Sequence, residues 1–290
     1  MISRLTGAAV RAVLVLILIA TPSVVTQSVL PDTAEVVALV GLFAAAMVFL
    51  EYASTYPSLI EFRDARPFNR IRFLSLFVMV FLLSVVCMNR TDPAIFARLV
   101  TFLGREVAGA LDFPFSPVRL VLLMLPEDTD ARHLDLIRTT AGLAYFIALA
   151  TLFCFIVVLR WYGWPHRKGS FNVWINLPTF DPTSGGDVVE RLNRDAIGNV
   201  VLGFVLPFII PALVRSTSIV FEPVTLASPH TLIWTMTLWA SLPVTLIMRG
   251  IAMNRIASMI AERRRHNAQA AVGGSDEREM PMATPEVFRG

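Results

Sequence analysis

One stretch of the sequence, Thr139–Leu159, has the length and composition of a helix that crosses a membrane. Its 21 residues carry no charge between Arg138 and Arg160. At about 1.5 Å of rise per residue, a helix of this length is about 31 Å long, which matches the roughly 30 Å hydrocarbon core of a bilayer. We therefore place the rest of the chain relative to this helix.

The segment that follows this helix contains the aromatic and basic residues typical of a cytoplasmic interface. Residues 160–168 read RWYGWPHRK. Aromatic rings concentrate at the level of the lipid headgroups, and arginine and lysine are more frequent in cytoplasmic loops than in loops on the other side. This end of the helix is therefore predicted to face the cytoplasm.

The composition of the whole chain is that of a multi-pass membrane protein. Of its 290 residues, 55% are apolar and 16% are charged, whereas about 25% are charged in a typical soluble domain. The fold is predicted to be all-α, with six transmembrane helices. The expected spans are residues 12–30, 33–52, 72–88, 137–160, 196–214 and 230–250, joined by inner loops at 53–71 and 161–195 and an outer loop at 89–136, in a transmembrane domain 1–266 followed by a disordered tail at 267–290.

The first apolar run has a second interpretation, as a signal peptide cleaved after Ala20. Arg4 and Arg11 precede the run, as in a signal peptide, but Leu18 would then stand three residues before the cut, where small residues are usual. The apolar character also continues to Leu30. We favour an uncleaved span, and in both interpretations the following segment begins outside.

The basic residues predict the orientation of the chain. Of the 25 lysines and arginines, 18 fall in segments expected inside and seven in segments expected outside, so both termini are predicted to be cytoplasmic. Lysine occurs once, which is typical of a GC-rich bacterial genome, and we expect a multi-pass protein of the bacterial cytoplasmic (inner) membrane. The residues expected to determine topology or to contact lipid headgroups are Arg63, Arg66, Arg70, Arg72, Arg160, Arg167, Lys168, Arg263, Arg264 and Arg265.

The outer loop contains a predicted amphipathic helix. Ile95, Leu99, Phe102, Leu103, Val107 and Leu111 recur at helical spacing, and the charged residues between them fall on the other face. We expect this helix to lie on the outer membrane surface. Residues 118–125 are apolar but too short to span, so they are expected to be re-entrant or interfacial.

The fifth span has polar and helix-breaking residues that suggest a hinge or a solute pathway. Pro207 and Pro211 each remove a backbone donor and bend a helix, and Asn199 and Gly203 lie nearer its inner end. Broken helices line substrate sites in some transporters.

The sequence contains no recognisable set of catalytic or cofactor-binding residues. The histidines are isolated, Cys87 and Cys154 lie in expected spans, and Ser184–Asp187 lacks the pattern of a phosphate-binding loop. The net charge of +3 is spread along the chain, which argues against nucleic-acid binding. No metal or cofactor is expected.

These patterns favour a non-catalytic accessory, assembly or scaffold component of a membrane complex, whose partners are the lipid bilayer and other membrane proteins. One alternative is a channel or transporter for a small solute at the fifth span. Another is a membrane-embedded enzyme, for which the candidates are His133 with Asp130 and Asp135, or His166 with Arg167. Two polar stretches are distinctive enough to be sequence motifs: 61–73 (EFRDARPFNRIRF) and 176–195 (NLPTFDPTSGGDVVERLNRD). Their residues indicate no particular chemistry.

Overall fold

The computed structural model of the protein describes residues 2–26, 31–56, 58–63, 66–88, 94–164, 176–181, 183, 185–217 and 226–276. In these ranges the chain is all-α, without a strand. The eight helices described there are α1 (Ile2–Thr26), α2 (Pro31–Ala53), α3 (Arg66–Met88), α4 (Ile95–Leu111), α5 (Pro117–Leu123), α6 (Ala131–Tyr162), α7 (Val188–Thr217) and α8 (Pro229–Asp276).

Six of these helices, α1, α2, α3, α6, α7 and α8, are long and apolar enough to cross a membrane. This confirms the prediction of six candidate spans. Helices α3, α6 and α8 contact one another and form the centre of the bundle, α2 packs on α1 at one side, and α7 packs on α8 at the other. The spans are therefore arranged around one core.

Capping residues explain where α6 begins and ends. The carboxylate of Asp130 accepts hydrogen bonds from the backbone N–H groups of Arg132 (3.0 Å) and His133 (3.3 Å), as predicted for a helix N-cap. At the other end, Gly163 has the left-handed conformation (φ +57°) that commonly terminates a helix. The resulting helix of 32 residues extends beyond the expected span at both ends.

Glycines allow α7 and α8 to pack closely. A Cβ atom at Gly203 would lie 2.5 Å from the carbonyl oxygen of Pro243, and one at Gly250 would lie 2.6 Å from that of Ala196. Distances this short leave no room for a side chain. Small residues at helix contacts are the usual means of close approach inside a membrane.

The two prolines of the fifth span are buried, and Pro207 lies at this contact. Because Pro211 has no N–H, the carbonyl of Pro207 loses its partner within the helix, and the indole Nε1 of Trp239 on α8 donates a hydrogen bond to that carbonyl at 3.2 Å. The backbone group released by proline is thus satisfied by the neighbouring helix, as a bilayer requires.

Helix α4 is present where the sequence predicted it, but it has a second face that the sequence analysis missed. Ala97, Val100, Thr101, Gly104 and Ala108 are buried and form one stripe, and α4 packs against α6. A Cβ at Gly142 of α6 would lie 2.4 Å from that of Ala108. The large apolar residues of the predicted face, such as Ile95 and Phe102, are exposed and available to lipid.

The short apolar segment after α4 forms α5. Ser116 caps it by accepting a hydrogen bond from the N–H of Arg119 (3.1 Å), and Pro117 occupies its first turn. Pro117, Val118 and Val121 are buried, where α5 packs against α6 and α7. The helix is thus covered by protein, as a re-entrant segment would need to be.

Helix α8 ends later in the chain than the sequence predicted. The tail was expected to be disordered from residue 267, but α8 continues to Asp276. The stretch Ala268–Ala271 contains three alanines, the strongest helix formers. No proline occurs between this stretch and Pro281. The remainder of the predicted tail, 277–290, lies outside the described residues.

Replacing the contact glycines of α7 and α8 tests this packing. We expect Gly203→Ala and Gly250→Ala each to reduce the free energy of unfolding by about 1–3 kcal/mol, because the added methyl group meets backbone atoms. The measurement is unfolding of the purified protein by SDS titration in mixed micelles. Gly198→Ala on α7 is the matched control, since nothing lies within 4 Å of its Cβ position. A similar loss of stability in this variant would show that the α7–α8 contact is not the cause.

Candidate functional site

The two loops expected on the inner side contact each other at one end of the bundle. The backbone N–H of Phe62 donates to the carbonyl of Asn176 at 2.7 Å, and the hydroxyl of Thr179 donates to the carboxylate of Glu61 at 2.7 Å. These residues belong to the two distinctive polar stretches, 61–73 and 176–195, for which the sequence indicates no function. The structure brings the two stretches together.

Helix α8 joins this contact through Arg249. Its Nε lies 2.6 Å from Oε2 of Glu61 and its Nη2 lies 2.8 Å from Oε1, which is a two-point guanidinium–carboxylate pair. The pair is partly shielded from solvent, with the Arg249 side chain 24% exposed and that of Glu61 14% exposed. We call Glu61, Phe62, Asn176, Thr179 and Arg249 the polar joint.

Aromatic side chains fill the interior behind the polar joint. Phe62 is fully buried, and its ring centroid lies 4.4 Å from that of Phe68 and 6.1 Å from that of Trp164. Phe68 in turn makes an edge contact with Phe155 at 5.7 Å. Edge-to-face contacts at these distances contribute beyond their buried area, and they connect the first loop and α3 to α6.

The backbone at Phe62 is strained, and the joint holds it in place. Phe62 has a φ of +53°, which is unusual for a bulky residue. The side-chain amide of Asn69 donates to the carbonyls of Glu61 (2.8 Å) and Phe62 (3.1 Å). Together with the bond from Phe62 to Asn176, these contacts offset a strain of roughly 1–3 kcal/mol.

Glu51 organises the loop that leads into the polar joint. Its carboxylate accepts hydrogen bonds from the N–H groups of Ser58 (3.0 Å), Leu59 (3.0 Å) and Ile60 (3.2 Å), and from the Ser58 hydroxyl (2.6 Å). Arg63 donates to the carbonyls of Glu51 (3.3 Å) and Ser54 (2.7 Å). Arg63, predicted to set topology or to contact headgroups, therefore also fastens the end of α2.

Two further arginines of α8 attach it to neighbouring segments. Arg255 donates to the carbonyls of Leu159 (2.6 Å) and Trp164 (2.8 Å) at the end of α6. Arg264 lies 2.6 Å from the carboxylate of Asp187 at the start of α7. The hydrogen bond from Arg264, followed by that from the N–H of Val189, lowers the pKa of Asp187 below its ordinary value.

The other predicted headgroup-contact residues fall into three groups. Arg160, Arg263 and Arg265 are exposed. Arg70 and Arg72 have no hydrogen-bond or ion-pair partner among the residues that the structure describes, and both line a cavity. The side chain of Arg66 and the residues Arg167 and Lys168 lie outside the described part of the chain.

The predicted hinge or pathway residues lie mostly at the α7–α8 contact. Gly203 and Pro207 are buried there, and Pro211 is buried one turn further along α7. The side-chain amide of Asn199 donates to the carbonyl of Asp195 at 2.7 Å, one turn earlier in its own helix. The role of these four residues as a hinge or pathway stays a prediction.

At the opposite end of the bundle, two carboxylates are held by arginines. Asp112 is 3% exposed and lies 2.7 Å from Nε of Arg119 and 2.8 Å from Nε of Arg138, although neither Asp112 Oδ1 nor Arg138 Nε has the angle of a hydrogen bond. Asp135, one of the residues considered for catalysis, pairs with Arg105 at 2.7 Å. Within the described ranges, no three histidine, cysteine or acidic residues are grouped as metal ligands.

The structure has two notable cavities towards the end that contains the polar joint. The larger, of about 1140 Å³, lies between α1, α2 and α3 and is lined by Arg11, Arg70 and Arg72 together with apolar side chains. The smaller, of about 480 Å³, lies between α6, α7 and α8 and includes Val200 and Arg160 in its wall. Neither could be predicted from the sequence, because each wall comes from three separate helices.

Breaking the joint tests its importance. We expect Glu61→Gln and Arg249→Gln each to reduce the free energy of unfolding by about 1–3 kcal/mol, because each leaves a partly buried group without its charged partner. The double variant should lose less than the sum of the two. SDS titration of the four proteins measures this difference.

The exposed pair at the other end is the control for this experiment. Arg105 and Asp135 are 58% and 43% exposed, so Asp135→Asn should cost less than about 1 kcal/mol. Additive effects of the two joint variants, or single effects no larger than the control, would contradict a stabilising pair.

Comparisons with family models, with curated proteins and with solved structures found no match to this chain. The described residues themselves show a polytopic, all-helical membrane protein with six candidate spans. Its function has to be inferred from the geometry of the chain.

Proposed function

We propose that this protein is a non-catalytic component of a membrane-protein complex, acting as an accessory, assembly or scaffold subunit in the bacterial inner membrane. The single observation that carries the proposal is a helical arm at the end of α8, which projects from a fixed base. The base consists of the polar joint and of the contacts that Arg255 makes at the end of α6.

The arm is the part of α8 that leaves the bundle. Helix α8 has 48 residues, which corresponds to about 72 Å. Arg249 holds it at the polar joint, and buried or half-buried residues continue along it as far as Ala261. Every side chain from Glu262 to Gln269 is exposed, and the helix continues to Asp276.

A helix of this kind gains little stability from its own chain. A helix that is polar all round bridges to another domain or chain, is supported by pairs along its own length, or is unstable alone. The exposed side chains from Glu262 to Gln269 bury little apolar surface that would offset the cost of ordering. Contacts with a partner would offset this cost.

The charge of the arm indicates the chemistry of its partner. Arg263 and Arg265 are exposed beside Glu262, and Arg264 contacts Asp187. The partner surface is therefore expected to be acidic. The excess of basic residues at this end supports a cytoplasmic position for it, and the arm would then reach a cytoplasmic domain or loop of a neighbouring membrane protein.

Truncation of the arm tests the proposal. We expect the intact protein, purified from its own membrane in mild detergent, to carry one other membrane protein in a fixed stoichiometric ratio. A chain that ends at Ala261 should lose this protein. Native mass spectrometry and quantitative peptide analysis measure both outcomes.

A matched variant controls for charge and detergent effects. Arg105→Gln removes an exposed arginine at the opposite end and should retain the partner. A native mass that corresponds to the 32.1 kDa chain with lipid alone would contradict the proposal, and so would a partner that is retained equally after truncation.

A second candidate function, a channel or transporter for a small solute, is favoured by the 480 Å³ cavity. This cavity borders the fifth predicted span through Ile197, Val200 and Val201, and transporter sites commonly lie between helices of this kind. Solute flux into proteoliposomes that contain only this protein would favour the transporter over the scaffold.

A further inference from the structure

The cavity between α1, α2 and α3 has one charged half and one apolar half. Arg11, Arg63, Arg70 and Arg72 are among its lining residues, and none of its 16 lining residues is acidic. Leu14, Val15, Leu18, Val48 and Leu76 line the rest. Its volume of about 1140 Å³ is slightly above the roughly 300–1,000 Å³ usual for ligand pockets.

The nearest described carboxylates have hydrogen-bond or ion-pair partners of their own, although Glu61 also attracts Arg72. The carboxylate of Glu51 is satisfied by the N–H groups of Ser58, Leu59 and Ile60, and that of Glu61 pairs with Arg249. Arg70 and Arg72 have no ion-pair partner in the described part of the chain. The described lining of the cavity therefore contains four positively charged side chains and no negatively charged one.

One of the arginines is held in position on the wall. Arg11 donates to the carbonyl of Gly7 at 2.7 Å, and its guanidinium lies over the ring of Tyr52, 4.5 Å from the centroid. A guanidinium fixed in this way loses less side-chain entropy when it binds an anion. Arginine is also well suited to phosphate, because its planar fork can donate two hydrogen bonds.

The apolar half of the cavity extends along α1. Its α1 residues run from Thr6 to Leu18, which is about 18 Å of helix. The part between Arg11 and Leu18 accounts for about 10 Å of this length and is lined by aliphatic side chains. A small soluble anion would use the charged half alone, whereas a molecule with a hydrocarbon chain would fill both halves.

We propose that this cavity binds one anionic phospholipid, with its phosphate against Arg11, Arg70 and Arg72 and an acyl chain along α1. Basic pockets between transmembrane helices on the cytoplasmic side are known to accept phosphate-bearing headgroups. The charge and the apolar depth of the cavity both match such a lipid. The site is separate from the arm of α8 and does not depend on the partner proposed above.

The test measures lipid binding to the delipidated full-length protein by native mass spectrometry. The probes are phosphatidylglycerol and phosphatidylcholine with the same acyl chains. We expect one molecule of phosphatidylglycerol to bind per chain, at least tenfold more tightly than phosphatidylcholine. Equal affinity for the two lipids would overturn the proposal.

Arginine variants locate the binding. Each basic residue near an anionic headgroup contributes roughly fivefold to affinity, so Arg70→Gln with Arg72→Gln should weaken phosphatidylglycerol binding by about 25-fold. The matched control, Arg98→Gln with Arg132→Gln, removes the same charge from exposed positions between the third and fourth spans and should change the affinity by less than twofold. Equal losses in the two double variants would overturn the proposed location.

Two further experiments test the apolar half of the cavity. Val15→Phe places a larger side chain in this half and should weaken both lipids while it preserves the preference for phosphatidylglycerol. Glycerol 3-phosphate, which has the headgroup phosphate without acyl chains, should not compete at millimolar concentration. Competition by glycerol 3-phosphate would show a site for a soluble phosphate ester and would overturn the lipid as occupant. The thermal midpoint of each variant shows that the fold is retained, and if a variant is unfolded, the two-lipid comparison on the intact protein still decides.

Discussion

The ion pair between Glu61 and Arg249 is the interaction on which the organisation of this bundle depends. It connects residues 188 positions apart in the sequence and joins the half that contains α1 to α3 with the half that contains α6 to α8. Thr179 brings the second loop to the same carboxylate, and Phe62 anchors the first loop among buried aromatic rings. A short polar contact thus fixes the relative position of three segments that the lipid alone would not hold together.

Both ends of the bundle stabilise charged side chains close to lipid, and they use different residues to do so. A charge near lipid is costly unless it is paired, and each end pairs a shielded carboxylate with arginine. At the end opposite the polar joint, Asp112 lies between Arg119 and Arg138, which links the end of α4 to α5 and α6. The helices between these ends are held by close packing, as at Gly203 and Gly142. The cavity between α1, α2 and α3 is different, since its described lining contains arginines and no acidic residue.

The sequence predicted the local features of the fold and missed the tertiary ones. Span length and composition predicted six spans because both depend on the solvent around the helices. The pairing of Glu61 with Arg249 could not be predicted, because nothing in either local sequence distinguishes this pair from any other acidic and basic residue. The small-residue stripe on α4 was visible at positions 97, 101, 104 and 108, but the larger apolar residues on the other face masked it. The cavity of the proposed lipid site requires three helices at once, and only its arginines could be named in advance.

The central claim is that the first loop, the second loop and the arm of α8 share one side of the membrane. Site-directed labelling tests it most directly: Cys87 and Cys154 are replaced by alanine, and single cysteines are introduced as Thr183→Cys, Arg263→Cys and Glu127→Cys. A membrane-impermeant maleimide is then applied to right-side-out and to inverted vesicles. The account predicts that positions 183 and 263 react from the same side and position 127 from the other. Reaction of positions 183 and 263 from opposite sides would contradict it.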